Sequence, residues 1–79
     1  MATSISQDQM VEKLAAAMHE SWMADCRRQG LSSRISSVTG EEQMVPYDRL
    51  SETVKDFDRN GARAFLHTLD ALGFEVVPK

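Results

Sequence analysis

Apolar residues recur every three or four positions in the first third of the chain, which is the spacing of one buried helix face. This stripe consists of Val11, Leu14, Ala15, Met18, Trp22 and Cys26. Ser6 and Gln9 precede it at the spacing of a capping box. The stripe is followed by two arginines and Gly30, a common helix C-terminal signal. The pattern predicts a helix over residues 7–29.

A second amphipathic pattern occupies the last third of the chain. Ser51 has the chemistry of an N-cap, and a short helix after it would turn Val54 and Phe57 inward. Asp58 is a further candidate N-cap, which predicts that a separate, longer helix starts there. Its apolar stripe consists of Ala62, Phe65, Leu66, Leu69 and Leu72. Gly73 has the position of a Schellman glycine and ends this helix.

The segment between these patterns has no helical period. Pro46 favours extended backbone at the residue before it, and residues 74–77 are short, extended and able to pair with the central segment. We therefore predict a mainly α fold: a small helical module with two longer helices, one short helix, an ordered loop and one or two short strands. Residues 1–6 are interpreted as a flexible tail and residues 7–79 as a single domain.

Composition narrows the functional classes. The 79 residues carry a formal net charge of −3, and mild acidity argues against general nucleic-acid binding. Cys26 is the single cysteine, so an internal disulfide and a cysteine-based zinc site are excluded. No apolar run approaches the ~20 residues of a membrane-spanning helix, and the first residues lack the pattern of a signal peptide. A cytoplasmic protein with no nucleic-acid or membrane partner is the expectation.

His19 and Trp22 are the first candidate binding residues. They are i, i+3 neighbours on the first predicted helix, so their side chains can touch. Indole can stack on a planar ring and imidazole can donate to a phosphate. The alternative is that Trp22 anchors the core and His19 lies half-buried at the edge of the stripe. Helix spacing alone favours this second interpretation.

A local basic stretch is the second candidate. Arg27, Arg28 and Arg34 lie in a segment without acidic residues, and such a segment can attract an anion in an acidic protein. The alternative is that these cations complement the dipole at the end of the first helix. That alternative is stronger for Arg28 than for Arg27 or Arg34.

Two further chemistries receive little support. Residues 56–61 match the first half of a calcium-binding loop, but its twelfth position carries His67 in place of glutamate. A degenerate calcium site over residues 56–67 is therefore a minor alternative. No catalytic constellation, metal site or cofactor motif is evident, so an enzyme is not expected.

Several short motifs resemble one RyR domain, the repeat module named after ryanodine receptor channels. They are Ala17-Met18-His19-Glu20-Ser21-Trp22, Gln29-Gly30, Val45-Pro46-Tyr47-Asp48-Arg49-Leu50-Ser51, Lys55, Asp58-Arg59-Asn60 and Leu72-Gly73-Phe74. The resemblance covers about residues 15–77, and its specificity lies in the combination. The chain departs from the family at residues 31–34, where the usual aromatic residues are missing.

The resemblance implies a free-standing module of bacterial or phage type that recognises a nucleotide or nucleotide-derived small molecule without catalysis. By position, it implies ligand contacts from His19, Trp22 and Asn60, with Arg59 beside them. The basic residues Arg27 and Arg34 add candidate anion contacts. The resemblance gives a structural role to Pro46, Tyr47, Asp48 and Asp58. A protein-interaction module, either a homodimer or a domain docked on a larger protein, is the alternative.

Overall fold

The protein consists mainly of two helices joined by an ordered loop. The computed structural model describes residues 6–77 and residue 79. Helix α1 spans Gln7–Arg28 and helix α2 spans Glu52–Ala71, with a 3-10 turn at Tyr47–Arg49 between them. The predicted mainly helical fold is confirmed. The predicted flexible tail falls on residues 1–5, which lie outside the described residues, and on Ser6.

Local sequence signals account for both ends of α1. The Ser6 hydroxyl accepts the backbone N–H of Gln9 at 3.1 Å, and the Gln9 side chain accepts the Ser6 N–H at 3.1 Å. This is the predicted capping box. At the other end Gly30 adopts a φ of +83°, and the N–H of Leu31 donates to the carbonyl of Cys26. The predicted end at residue 29 is one residue too late.

Helix α2 differs from the prediction because it is one continuous helix. The Ser51 hydroxyl caps it by accepting the Val54 N–H at 3.3 Å. Asp58 lies inside the helix, so the predicted break there and the separate short helix are wrong. No proline interrupts the segment, and the single turn at Tyr47–Arg49 is the short helical element instead. Gly73, with a φ of +89°, ends α2 as predicted.

The loop between the helices forms almost no sheet. Among the described residues the extended pairing is a single antiparallel bridge between Ile35 and Glu42. The N–H of Gln43 donates to the carbonyl of Arg34, and that of Ser36 to Glu41. The predicted short strands are therefore reduced to this bridge, and residues 74–77 form no bridge with the loop.

The core lies where α1, α2 and the 3-10 turn meet. It contains Val11, Ala15, Tyr47, Leu50, Val54 and Ala62. On α1 the buried face is centred on Ala15, His19 and Met23, whereas Met18 is exposed and Trp22 is half-buried. The predicted apolar stripe has the correct helical period, but its centre is about one residue away from the centre of the buried face. Neither described helix has the length and apolarity that crossing a bilayer requires.

Candidate functional site

His19 connects α1 to the loop from a buried position. Its side chain is 4% exposed, and its Nε2 lies 2.7 Å from the carbonyl oxygen of Val45. A carbonyl can only accept, so Nε2 carries the proton and donates. In the neutral ring this leaves Nδ1 as an acceptor, and Nδ1 lies 3.7 Å from Oδ2 of Asp58. His19 thus fixes the loop and faces a carboxylate on α2.

Asp58 brings a partly buried carboxylate to the same place. Its Oδ2 is buried and makes no hydrogen bond with the described residues. Burial raises the pKa of this carboxyl, and the nearby His19 ring partly opposes that rise. The side chain is still 32% exposed, so its second oxygen can accept a hydrogen bond from a bound molecule.

Aromatic rings cluster around His19. The Trp22 ring centroid lies 5.6 Å away with the two planes tilted by 31°, and the Tyr47 ring lies 6.2 Å away. The Trp22 ring is half-buried. One part of the indole therefore supports His19, and the rest borders an open space between the helices.

That space is a cleft of about 430 Å³, within the range of small-molecule sites. We call it the α1–α2 cleft. It is lined by Met18, His19, Trp22, Arg34, Gln43, Val54, Phe57, Asp58 and Gly61. The structure thus brings together His19, Trp22 and Arg34, three of the ligand contacts predicted from the sequence, and adds Asp58, which was assigned a structural role.

Arg59 points to a different set of partners. Its Nε donates to Glu12 at 2.7 Å, and its Nη1 donates to Glu52 and Asp56 at 2.9 Å each. We call these four residues the Arg59 cluster. Hydrogen bonds from Arg59 hold the pKa of Glu12 and of Glu52 below the usual range. The guanidinium is therefore neutralised by carboxylates and does not line the cleft.

Two other predicted contacts also lie away from the cleft. Asn60 is exposed, and its side-chain oxygen accepts a hydrogen bond from Arg63 at 3.0 Å. Arg27 borders a separate shallow hollow beside Gly30 and Leu31. Helix geometry explains why Asn60 lies away from the cleft. Asn60 comes two residues after Asp58, so it lies on a different side of α2.

Three of the residues predicted to be structural, Pro46, Tyr47 and Asp48, lie at the end of the loop. Pro46 begins the 3-10 turn with a φ of −54°, Tyr47 is buried and Asp48 is exposed. The Tyr47 hydroxyl forms no hydrogen bond within the described residues. Burial raises its pKa to about 12, and the adjacent Glu12 carboxylate adds to that rise. Tyr47 is therefore a neutral core residue, and its ring lies next to the ring of His19.

The minor calcium alternative is wrong. Residues 56–67 lie within α2, and a calcium loop needs a non-helical backbone to converge its oxygens on one ion. The Asp56 carboxylate is instead used by Arg59. Within residues 6–77 and 79, no group of three potential metal ligands is close enough to hold an ion.

Sequence reasoning missed Met18, Gln43, Val54, Phe57 and Gly61 as cleft-lining residues. The sequence did indicate that the α2 residues share one side of the helix, because positions 54, 57, 58 and 61 follow the i, i+3, i+4, i+7 spacing of one helix face. Met18 and Trp22 are likewise four residues apart. No sequence pattern indicated Gln43, since the course of the loop brings this residue to the cleft.

Comparison with known proteins decides the family. The family model of the RyR domain matches residues 2–78, nearly the whole chain. The chain belongs to the RyR domain family. A search of curated protein sequences gives no significant match.

The cleft is built in part from the segments that carry the resemblance to the RyR family. Its two walls come from the segments whose motifs carry the resemblance, His19–Trp22 on α1 and the α2 turn that contains Asp58. The Val45–Ser51 motif of this RyR domain supplies the carbonyl that holds His19 and the cap of α2. Three of the motifs therefore contribute residues to the cleft or to its support.

Proposed function

We propose that this RyR domain is a non-enzymatic module that binds a nucleotide or nucleotide-derived small molecule in the α1–α2 cleft. The observation that carries the proposal is the convergence of Trp22, Phe57, Arg34 and Asp58 on one open cleft. The proposed role is recognition, for sensing or sequestering the ligand.

The cleft offers each of the contacts that a nucleotide needs. Trp22 on α1 and Phe57 on α2 expose aromatic surface on which a base can stack. Arg34 makes no ion pair with the described residues, so its guanidinium is available for a phosphate. The open oxygen of Asp58 and the amide of Gln43 can bond polar groups of the base or sugar.

His19 acts in this proposal mainly as a positioning residue. Its Nε2–H is used by Val45 and its Nδ1 faces Asp58, so both ring nitrogens are turned toward other parts of the protein, and the ring packs against the indole. Direct contact between His19 and a phosphate, as the resemblance suggests, would require one of these partners to be displaced.

A titration that follows fluorescence of the single tryptophan tests the proposal. AMP, ATP, ADP-ribose and cyclic nucleotides are each added to the full chain, and melting temperature is recorded in parallel. We expect at least one of them to quench Trp22 and to raise the melting temperature, with a rise that continues as the ligand concentration exceeds its Kd. An unchanged spectrum and melting temperature with all of them would contradict nucleotide binding.

Matched variants locate the binding. Phe57→Ala removes one wall of the cleft, and we expect it to weaken binding because a stacked base loses its partner on α2. Phe65→Ala is the control, since Phe65 lies two turns further along α2 with the same exposed fraction of 48%. Equal affinity in both variants would place the ligand outside the cleft.

A second candidate function is self-association through the C-terminal half of α2. Apolar side chains remain exposed there and just after the helix, among them Phe65, Leu72 (68% exposed) and Phe74. Phe65 and Leu72 are seven residues apart and therefore lie on one side of the helix. A two-fold axis would bring this apolar surface of two copies together.

Sedimentation equilibrium over a range of concentrations tests this second candidate. We expect the mass to rise from 8.8 kDa toward twice that value, and Leu72→Glu to restore the monomer. Val38→Glu is the control, because Val38 is equally exposed but lies on the loop. A monomer at all concentrations would contradict self-association.

A further inference from the structure

We infer that the α1–α2 cleft selects nucleotides that carry a single phosphate group over those that carry a polyphosphate chain. This inference rests on the proposed nucleotide-binding function and specifies the charge of its ligand. It is argued from the charges that line and surround the cleft.

The described residues place one free cation on the lining of the cleft. Among the described lining residues, Arg34 is the only arginine or lysine, and it forms no ion pair with described residues. One guanidinium matches one phosphate group, with which it forms paired hydrogen bonds. A second or third phosphate would find no further cation on the lining.

Two cations on α2, Arg59 and Lys55, already contact carboxylates. Arg59 is held by the three carboxylates of the Arg59 cluster. Lys55 lies 3.6 Å from Glu52, and its ammonium sits 5.6 Å above the Tyr47 ring. Recruiting either one would break existing contacts. The start of α2 is also occupied, because Ser51 caps it and the acidic Glu52 follows.

Two carboxylates lie near Arg34 without pairing with its guanidinium. Glu42 accepts the backbone N–H of Arg34 at 2.7 Å and that of Met44 at 3.1 Å. Bonds from Ser33 and from these backbone groups hold the pKa of Glu42 below its usual range, so Glu42 is ionised at neutral pH. Asp58 adds a carboxylate inside the cleft. A polyphosphate chain extending from Arg34 would therefore meet like charge, which costs affinity.

Asp58 also determines which end of the ligand lies inside. A carboxylate with an open oxygen accepts N–H or O–H groups and repels phosphate. Sugar hydroxyls or an amino group on the base are suited to this position, and the phosphate is then directed outward to Arg34. A nucleoside monophosphate or a cyclic nucleotide has this arrangement of one anionic end and one donor-rich end.

Isothermal calorimetry with adenosine, AMP, ADP and ATP tests the inference, at constant ionic strength and without magnesium. We expect AMP to bind most tightly and ATP to bind about tenfold more weakly than AMP. If ATP binds most tightly, the selectivity is refuted while nucleotide binding stands. If none of the four binds, the proposed function is refuted and the inference is refuted with it.

Two variants identify the groups responsible. Arg34→Gln should lower the affinity for AMP to that for adenosine, because it removes the partner of the single phosphate. Arg28→Gln is its control, since Arg28 pairs with Asp25 on the surface of α1. Asp58→Asn keeps the shape of the side chain and removes its charge, so it should reduce the difference between AMP and ATP. An unchanged ratio of AMP to ATP affinity in Asp58→Asn would show that Asp58 does not set the selectivity and would overturn that part of the inference.

Discussion

Replacing His19 should destabilise the fold more than its polar character suggests. The ring is buried, and its hydrogen bond to Val45 joins parts of the chain that are 26 residues apart. His19→Ala leaves the Val45 carbonyl without its donor, and an unsatisfied buried acceptor costs about 1–3 kcal/mol. It also removes the ring packed between Trp22 and Tyr47, and the resulting cavity adds to that cost.

The structure sets the size of this effect. Together the two losses amount to about 2–4 kcal/mol. For a domain of this length the total stability is about 4–12 kcal/mol, so the substitution removes a large part of it. Each kcal/mol shifts the melting temperature by about 4–8 °C, and we expect a decrease of roughly 8–32 °C.

Urea and thermal unfolding followed by circular dichroism at pH 7 measure this effect. His19→Gln is the informative companion, because an amide N–H can still donate to Val45, and it should recover part of the lost stability. His67→Ala is the control, since His67 is exposed on α2, and it should change stability by less than about 0.5 kcal/mol. The reasoning is refuted if His19→Ala is as stable as the unchanged protein or if His19→Gln is no better than His19→Ala.

Three further predictions follow from the charges and the backbone. The pKa of Glu12 is lowered from 4.5 by Arg59, so its contribution to stability is present above about pH 4.5 and is lost as the pH falls through the lowered value. Glu12→Gln should therefore flatten the acid side of a plot of urea midpoint against pH, and an unchanged slope would contradict this. The pKa of Asp58 is raised from 3.8 by burial, so its contribution is present at lower pH and is lost as the pH rises through the raised value. Asp58→Asn, whose amide can donate to the Nδ1 of His19, should raise the melting temperature at pH 7, and a decrease would show that the ionised pair stabilises the fold. Gly73 has a φ of +89°, so Gly73→Ala should lower the stability of the protein by about 1 kcal/mol. Gly61→Ala, with open space around the added methyl group, should instead stabilise α2 by about 0.5–1 kcal/mol. Equal melting temperatures for these two variants would contradict the different roles given to the two glycines.

The ends of the helices could be predicted because their signals are local. Ser6, Gln9, Gly30 and Gly73 act on backbone groups within a few residues of themselves, and each does in the structure what its sequence position indicates. The break predicted at Asp58 failed because a good capping residue does not prevent helix formation when its neighbours also favour the helix.

The candidate site could be predicted only in part. His19, Trp22 and Arg34, which the sequence proposed as ligand contacts, line one cleft, although the periodicity alone favoured a core role for Trp22. Arg59 was assigned to the ligand by position in the family motif, but in the structure it bonds Glu12, which is 47 residues away in the chain. Glu52 and Asp56 lie on the same helix at helical spacing, but Glu12 could not be found from spacing, because its position is set by how α1 packs against α2.

The sequence by itself determined that the chain forms a helical RyR domain, since helix caps and periodicity are local and the family motifs occur in order. The tertiary structure decided which side of α1 faces inward. An amphipathic period defines a stripe but not its centre, and here the loop that ends at Val45 covers His19 and leaves part of Trp22 open. Because the buried face is rotated by about one residue from the predicted stripe, Trp22 is not a core anchor and instead forms part of one wall of the cleft. Among the described residues the tertiary structure also leaves Arg34 as the unpaired cation of that cleft, because Arg59 bonds Glu12 on α1 in addition to Glu52 and Asp56 on its own helix.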